Sequence, residues 1–267
     1  MKHNIEFLVS TMNCKSYQNL YCKMNIKADA IIINQGKNLK NEVIDLSGYK
    51  LKGLTFEERG VGISRNSALM RATNEICVMS DDDMVYTENA RKIIEESYLK
   101  YPDADMIVFN VIVHQHGKKR NTVKKNGRVR LFNSLRYGTV TFTFRRAQLV
   151  KYNLFFSLEF GGGAKYGSGE DSIFIWDVLK RGLKVYSVNE TIANVYNDDS
   201  SWFTGYNEKY FLDRGALFKR LSNFLYPILI IQFVMRKRQI VKLSGMTKKE
   251  IYNLMMKGAR NYGGKES

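Results

Sequence analysis

Short apolar runs alternate with amphipathic segments over residues 5–113, and few folds satisfy that order. IEFLVS (5–10), ADAIIIN (28–34), EVIDLS (42–47), EICVMS (75–80) and ADMIVFNVIV (104–113) have strand length and nearly unbroken hydrophobicity. Between them, VGISRNSALMRATN (61–74) and TENARKIIEESYLKY (87–101) carry apolar residues at helical spacing. In the second helix Thr87 is the expected N-cap, with Ile93, Ile94 and Tyr98 facing inward. Strands buried on both faces and separated by helices predict an α/β fold with a mostly parallel central sheet. With 267 residues and 44% hydrophobic content, the chain can bury such a core without disulfide or metal staples.

Open sheets of this class bind ligands beyond the carboxyl ends of their strands, and CVMSDDDMVY (77–86) places Asp81, Asp82 and Asp83 at such an end. Adjacent carboxylates repel one another and lose hydration where a strand end is covered. A cation removes the difficulty. Asp81 and Asp83, one residue apart, can both approach one hard divalent ion, Mg2+ or Mn2+, whose remaining ligands are water and phosphate oxygens. A solvated acidic turn leading into the next helix is the other reading of the triplet.

A second acidic pair follows a glycine-rich loop. GSGEDSIFIW (167–176) sets Glu170 and Asp171 at a helix start, after Gly161, Gly162, Gly163, Gly167 and Gly169 make a mobile loop that lets backbone approach closely. A helix N-terminus favours charged carboxylates, so Asp171 is expected to be ionised near neutrality and to act as a general base toward a hydroxyl. An ordinary acidic first turn is the plainer alternative. The helix is expected over about residues 170–181, stopped by Gly182, with LKVYSV (183–188) returning as a strand. TVTFTFRR (139–146) alternates as a further strand.

Charge enters next, with 42 basic against 26 acidic residues giving +16. The excess is concentrated: residues 118–130 hold seven Lys or Arg and no acid, and residues 214–267 hold twelve against Glu250 and Glu266. FLYPILIIQFVMRKR (224–238) is too short to span a bilayer. An apolar stripe followed by Arg236, Lys237, Arg238 and Lys242 suits either a helix lying at an anionic membrane surface or one packed on the main domain. The expected division is a catalytic domain over 1–215 and a basic helical extension over 216–267. Cys14, Cys22 and Cys77 lack paired or metal-ligand spacing and read as reduced thiols. MKHNIEFLVSTMN lacks a signal-peptide core, so the expected location is cytoplasmic, peripheral on the inner membrane face through the basic extension.

The sequence order FLVSTMN, then ERGVGISRNSALMRATNEICVMSDDDMVY, then FGGGAKYGSGEDSIFIWDVLKRGLKVY resembles the family-2 inverting glycosyltransferases of the GT-A fold that build bacterial surface polysaccharides. The resemblance covers about residues 4–200. It implies a Rossmann-like three-layer sandwich, a nucleotide-diphosphate sugar donor and a glycan or lipid-linked acceptor. Position by position, it implies that Ser10, Thr11 and Asn13 lie near the nucleotide and that Arg65 and Asn66 line the donor pocket, Arg65 beside the diphosphate. Asp81 and Asp83 match the DXD motif, with Asp83 the preferred metal ligand and Asp82 beside the nucleotide. Asp171 matches the catalytic base and Glu170 its acidic neighbour. Two positions depart from the pattern. Asn34 and Gln35 stand where relatives carry acids near the base or ribose, and Tyr196 stands where they carry a histidine, leaving metal coordination to water or to Asp198 or Asp199. Trp176 reads as helix packing, and His114 and His116 lack a third ligand for zinc.

Two other classes fit parts of the sequence. A nucleic-acid-binding protein would use the basic stretches and their aromatics, although the acid clusters would repel a phosphate backbone and no recognised module is present. A Mg-dependent nucleotidyl- or phosphotransferase would use the strand-end carboxylates, but the GED helix opening favours sugar transfer.

Overall fold

The computed structural model describes residues 4–37, 40–196 and 204–263. In chain order the first half runs β1 (Ile5–Met12), α1 (Tyr17–Lys23), β2 (Asp29–Gln35), β3 (Asn41–Leu46), β4 (Tyr49–Phe56), α2 (Val61–Arg71), β5 (Ile76–Asp81), β6 (Met84–Tyr86), α3 (Ala90–Lys100) and β7 (Met106–Gln115). The second half runs β8 (Lys118–Asn121), β9 (Gly127–Val129), α4 (Leu131–Ser134), β10 (Phe142–Arg145), α5 (Arg146–Lys151), α6 (Glu170–Lys180), β11 (Val185–Tyr196), α7 (Glu208–Leu221), α8 (Tyr226–Arg236), α9 (Arg238–Ser244) and α10 (Lys248–Asn261).

The strands form one sheet in the order β3-β4-β2-β1-β5-β10-β7-β11-β6, with β8 beside β7 and β9 beside β11. Strands β4, β2, β1 and β5 run parallel, as do β7 and β11. β10 lies antiparallel between β5 and β7.

Alternation along the strands makes the three layers. Phe7 and Val9 of β1, Ile32 of β2 and Val78 of β5 face one core with Tyr17 and Tyr21 of α1 and with Ile94 and Tyr98 of α3. Leu8, Ile31, Cys77 and Met79 face the other, against Ala68 and Leu69 of α2 and Phe174, Ile175 and Val178 of α6. Each fully buried side chain of this size contributes about 1.5–3 kcal/mol, so the central strands can carry polar groups at their ends.

A third core joins the C-terminal helices to α6. Ile173 and Trp176 pack with Phe211 and Leu217 of α7, Ile230 and Phe233 of α8, and Ile251 and Met255 of α10. Helices α7 and α10 cross so closely that a Cβ at Gly215 would lie 1.9 Å from the Met255 carbonyl oxygen. The boundary expected at 216 therefore falls inside α7.

Three local expectations are corrected by the pairing and the hydrogen bonds. EVIDLS forms an edge strand, antiparallel to β4 and alternately exposed, not one buried on both faces. TVTFTFRR splits into a 3-10 turn over 139–141 and the short β10. Thr87 does not cap α3, which starts at Ala90 after Asn89. The Thr87 carbonyl accepts the Ala90 N–H, and its hydroxyl reaches Thr191 O on β11. Gly182 does follow α6 with φ +80°, donating to Leu179 O. Among the described residues, no helix is long and apolar enough to cross a membrane.

Candidate active site

The two acidic groups, distant in sequence, open onto one cavity of about 360 Å³ at the carboxyl ends of β1 and β5. Ser10 and Thr11 from β1, Asp81 at the end of β5 with Asp82 and Asp83 after it, Arg65 from α2, and Glu170 and Asp171 from α6 all line it.

Arg65 ties the groups together. It is 4% exposed; its Nη1 donates to Glu170 Oε1 at 2.8 Å and its Nη2 to Asp81 Oδ1 at 3.0 Å. The guanidinium also lies over the Phe156 ring, 5.4 Å from its centroid. A planar, permanently charged fork can reach two separate carboxylates from its two terminal nitrogens while stacking on a ring, a geometry the point charge of a lysine does not reproduce. Sequence alone places Arg65 beside the diphosphate, but both terminal nitrogens are engaged with protein carboxylates here. Asn66, expected in the same pocket, is turned away: its amide donates to Phe156 O and accepts the Phe156 N–H, pinning the chain after α5. Ser10 accepts a hydrogen bond from Ser64 Oγ at 3.0 Å, and Thr11 donates to Asp82 Oδ2 at 2.5 Å.

Asp171 has the most altered acidity. Burial and the neighbouring Glu170 carboxylate push its pKa up to about 6, against the opposing influence of the Ser172 N–H, which donates to Oδ1 at 2.6 Å, and of Arg65 and Arg214. It thus remains largely ionised at neutral pH, but the helix start does not hold it at an ordinary carboxylate value. Burial and a like charge outweigh the favourable helix end. A group titrating there can both accept and release a proton near neutrality.

The glycine-rich loop is close to the protein itself. Gly161 has φ +111°, and a Cβ there would lie 2.8 Å from Val61 Cγ1 and 2.9 Å from Glu170 Oε2. Val61 N–H in turn donates to Gly162 O. The loop thereby joins the starts of α2 and α6 at the cavity wall.

A larger adjoining cavity, about 760 Å³, shares Gln35 with the first and includes Asn13, Asn34, Lys37 and Lys40. Asn34 accepts from Cys14 N–H and donates to Thr55 Oγ1. The acids missing from 34–35 are supplied nearby: Glu57 and Glu58, just after β4, line this cavity, and Glu58 Oε1 is buried without a hydrogen-bond partner. They were missed with β4 itself; the alternation in YKLKGLTF was the available signal. Tyr196 donates its N–H to Asp83 O, so the end of β11 does reach the triplet, and its ring stacks on His114 at 4.6 Å. Asp198 and Asp199 lie outside the described residues.

Among the described residues, no three His, Cys, Asp or Glu side chains converge on one point. The triplet nevertheless offers hard oxygen donors on the cavity wall, a set suited to Mg2+ or Mn2+ held by one or two carboxylates with substrate phosphate supplying other ligands.

A mainly parallel sheet with an acidic triplet at one strand end and an acidic helix start across the same cleft is the arrangement that the resemblance to the GT-A glycosyltransferases implies. The family model described as Glycosyl transferase family 2 matches residues 26–162, just over half of the chain, and the chain belongs to that family. The match includes Arg65 and Asp81–Asp83 and ends before Glu170 and Asp171. Among solved structures, S. aureus TarS 1-349 in complex with UDP-GlcNAc is similar with a TM-score of 0.62 at 15% identity, covering 97% of this chain and 89% of that one. S. aureus TarS 1-349 in complex with UDP is similar at a TM-score of 0.58, with the same identity and coverage. At this identity the likeness carries the fold. No curated protein matches the chain in sequence.

Proposed function

We propose that the enzyme transfers a sugar from a UDP-sugar to a hydroxyl of a glycan or lipid-linked acceptor, inverting the anomeric carbon, in bacterial surface-polysaccharide synthesis. The observation that carries this reading is the Arg65 bridge, which fixes the Asp81 side and the Glu170 side of one cleft in a constant relation. The UDP-GlcNAc and UDP complexes of the similar TarS structures support the choice of nucleotide.

In this reading the uridine occupies the larger cavity, with Asn13 at its edge and the unpartnered Glu58 oxygen meeting ribose hydroxyls. The diphosphate lies toward Ser10, Thr11 and the triplet. Asp83 and Asp81 would hold Mg2+ or Mn2+, which when bound neutralises charge on the departing diphosphate. Asp171 takes the proton of the acceptor hydroxyl. The oxygen forms its bond to the anomeric carbon on the face opposite the diphosphate, whose bond breaks with the electron pair leaving on phosphate oxygen. Glu170 and Arg65 position Asp171 and Asp81, and the loop 161–169 shapes the acceptor side. In the same reading the enzyme docks on an anionic membrane surface, which the exposed apolar residues of α8 and their basic flank support.

A thermal-shift panel of nucleotide sugars with and without manganese tests the donor side. Binding at one hundred times Kd stabilises the folded state by about 2.7 kcal/mol. A UDP-sugar should raise Tm, and manganese should raise it further in the wild type but not in Asp83→Ala. No response to any UDP-sugar would refute the proposal.

A further inference from the structure

The loop over 161–169 is held against the catalytic cleft from outside, by the C-terminal helices. Gly162, Gly167, Ser168 and Gly169 all line the cleft, and Gly169 leads directly into Glu170 and Asp171 of α6. The loop closes on itself where Gly161 N–H donates to Tyr166 O and Tyr166 N–H donates to Glu159 O, both at 2.9 Å. Backbone this rich in glycine reaches many conformations at little steric cost, so a single arrangement has to be imposed by neighbours.

Helix α7 imposes it at three points. Asp213 accepts the Gly167 N–H at 2.9 Å. Lys209, one turn earlier, donates to Asp213 Oδ2 at 2.7 Å and to Lys165 O at 3.2 Å. Gly169, with φ +120°, lies so near α7 that a Cβ there would be 2.8 Å from Leu217 Cδ1. Just past the end of α10, Tyr262 holds the other arm of the loop: its hydroxyl donates to Glu159 Oε2 at 3.2 Å, and its ring centroid lies 5.7 Å from those of Phe160 and Tyr166.

Asp213 is the most telling of these residues. Inside a helix an aspartate is a poorer choice than an alanine, and this one is largely buried, with 14% of its side chain exposed. Its ion pair with Lys209, whose side chain is 64% exposed, is of the kind that contributes little. What the carboxylate gains is the loop N–H, a donor that at the approach to a helix start would otherwise be open to any anion entering the cleft.

We propose that Asp213 is a positioning residue for the reaction: by fixing Gly167 it sets the loop against the cleft and aligns the first turn of α6, which presents Asp171. The chemical consequence rests on the sugar-transfer reading; the clamp itself is tested without it.

Hydrogen–deuterium exchange on the full chain tests the clamp. In Asp213→Ala the segment 161–169 should exchange about fivefold faster, with α2 and β5 unchanged. Asp213→Asn keeps an oxygen for the Gly167 N–H and should exchange within about twofold of wild type. UDP release from UDP-GlcNAc, with water as acceptor, reads the chemistry. Its kcat should fall at least about tenfold in Asp213→Ala and recover in Asp213→Asn, while KM for UDP-GlcNAc stays within about twofold and Tm within about 4 °C. Unchanged exchange in Asp213→Ala, an equal loss of kcat in Asp213→Asn, or a fall in Tm accompanied by a rise in KM would overturn the assignment. A wild type that releases no UDP would strike the sugar-transfer reading instead, and the exchange comparison would still decide the clamp.

Discussion

Replacing Asp171 with asparagine should make the protein more stable at neutral pH. The carboxyl is held near pKa 6 in the folded chain against an ordinary value of 3.8, because burial and Glu170 disfavour its charge. A raised carboxyl pKa means that the folded state prefers the protonated form. The contribution to stability is complete below 3.8 and is lost as pH rises through 6. At pH 7.5 the charged carboxylate thus costs about 3 kcal/mol, from roughly two pK units at 1.36 kcal/mol each. Asparagine carries no charge and retains an oxygen for the Ser172 N–H. Urea unfolding of both proteins at pH 7.5 and pH 4 isolates the effect. With a slope of about 3 kcal/mol per molar urea, the variant's midpoint should lie about 1 M higher at pH 7.5, with the gap closing toward pH 4. A variant no more stable than wild type at pH 7.5, or a gap independent of pH, would refute the claim that Asp171 is held in the fold at an energetic cost.

Arg65→Met should lower stability by about 3–5 kcal/mol in the same assay, because it leaves the enclosed Glu170 carboxylate without its partner; the more exposed Asp81 contributes less. It should also raise the acidic limb of the kcat/KM pH profile, since Arg65 helps keep Asp171 ionised. Glu170→Gln removes the like charge beside Asp171 and should move that limb to lower pH. Gly215→Ala, a change that ordinarily favours a helix by about 1 kcal/mol, should here cost about 3 kcal/mol, because the added Cβ meets the Met255 carbonyl oxygen and neither backbone can yield cheaply. Circular-dichroism melts should show a lower Tm for Gly215→Ala.

Much of this arrangement was legible in the residues, for physical reasons. β1, β2, β5 and β7 are covered on both sides, so their hydrophobicity is nearly continuous, and Asp81–Asp83 interrupts it abruptly at the sheet end where α/β folds keep their sites. Gly169 followed by two acids marked the start of α6 equally well. What escaped depends on partners. β4 carries lysines between its inward residues, and β8 reads KKRN with every residue exposed; pairing with a neighbouring strand makes each of them a strand. Arg65 carries the same formal charge whether it meets a diphosphate or two carboxylates, and only the fold brings Glu170 to it across 105 residues. Asp171 looked like a carboxylate eased by a helix end because sequence does not reveal the half-buried cleft wall and the Glu170 carboxylate that oppose its charge.

The most direct test separates chemistry from donor binding in Asp171→Asn. Transfer to acceptor and the Kd for the UDP-sugar, measured on one preparation, should diverge: turnover falling by about a thousandfold or more, as expected when a general base is lost, with donor affinity within about threefold of wild type. Retained turnover, or a parallel loss of turnover and donor affinity, would contradict the assignment of Asp171 as the base facing the acceptor.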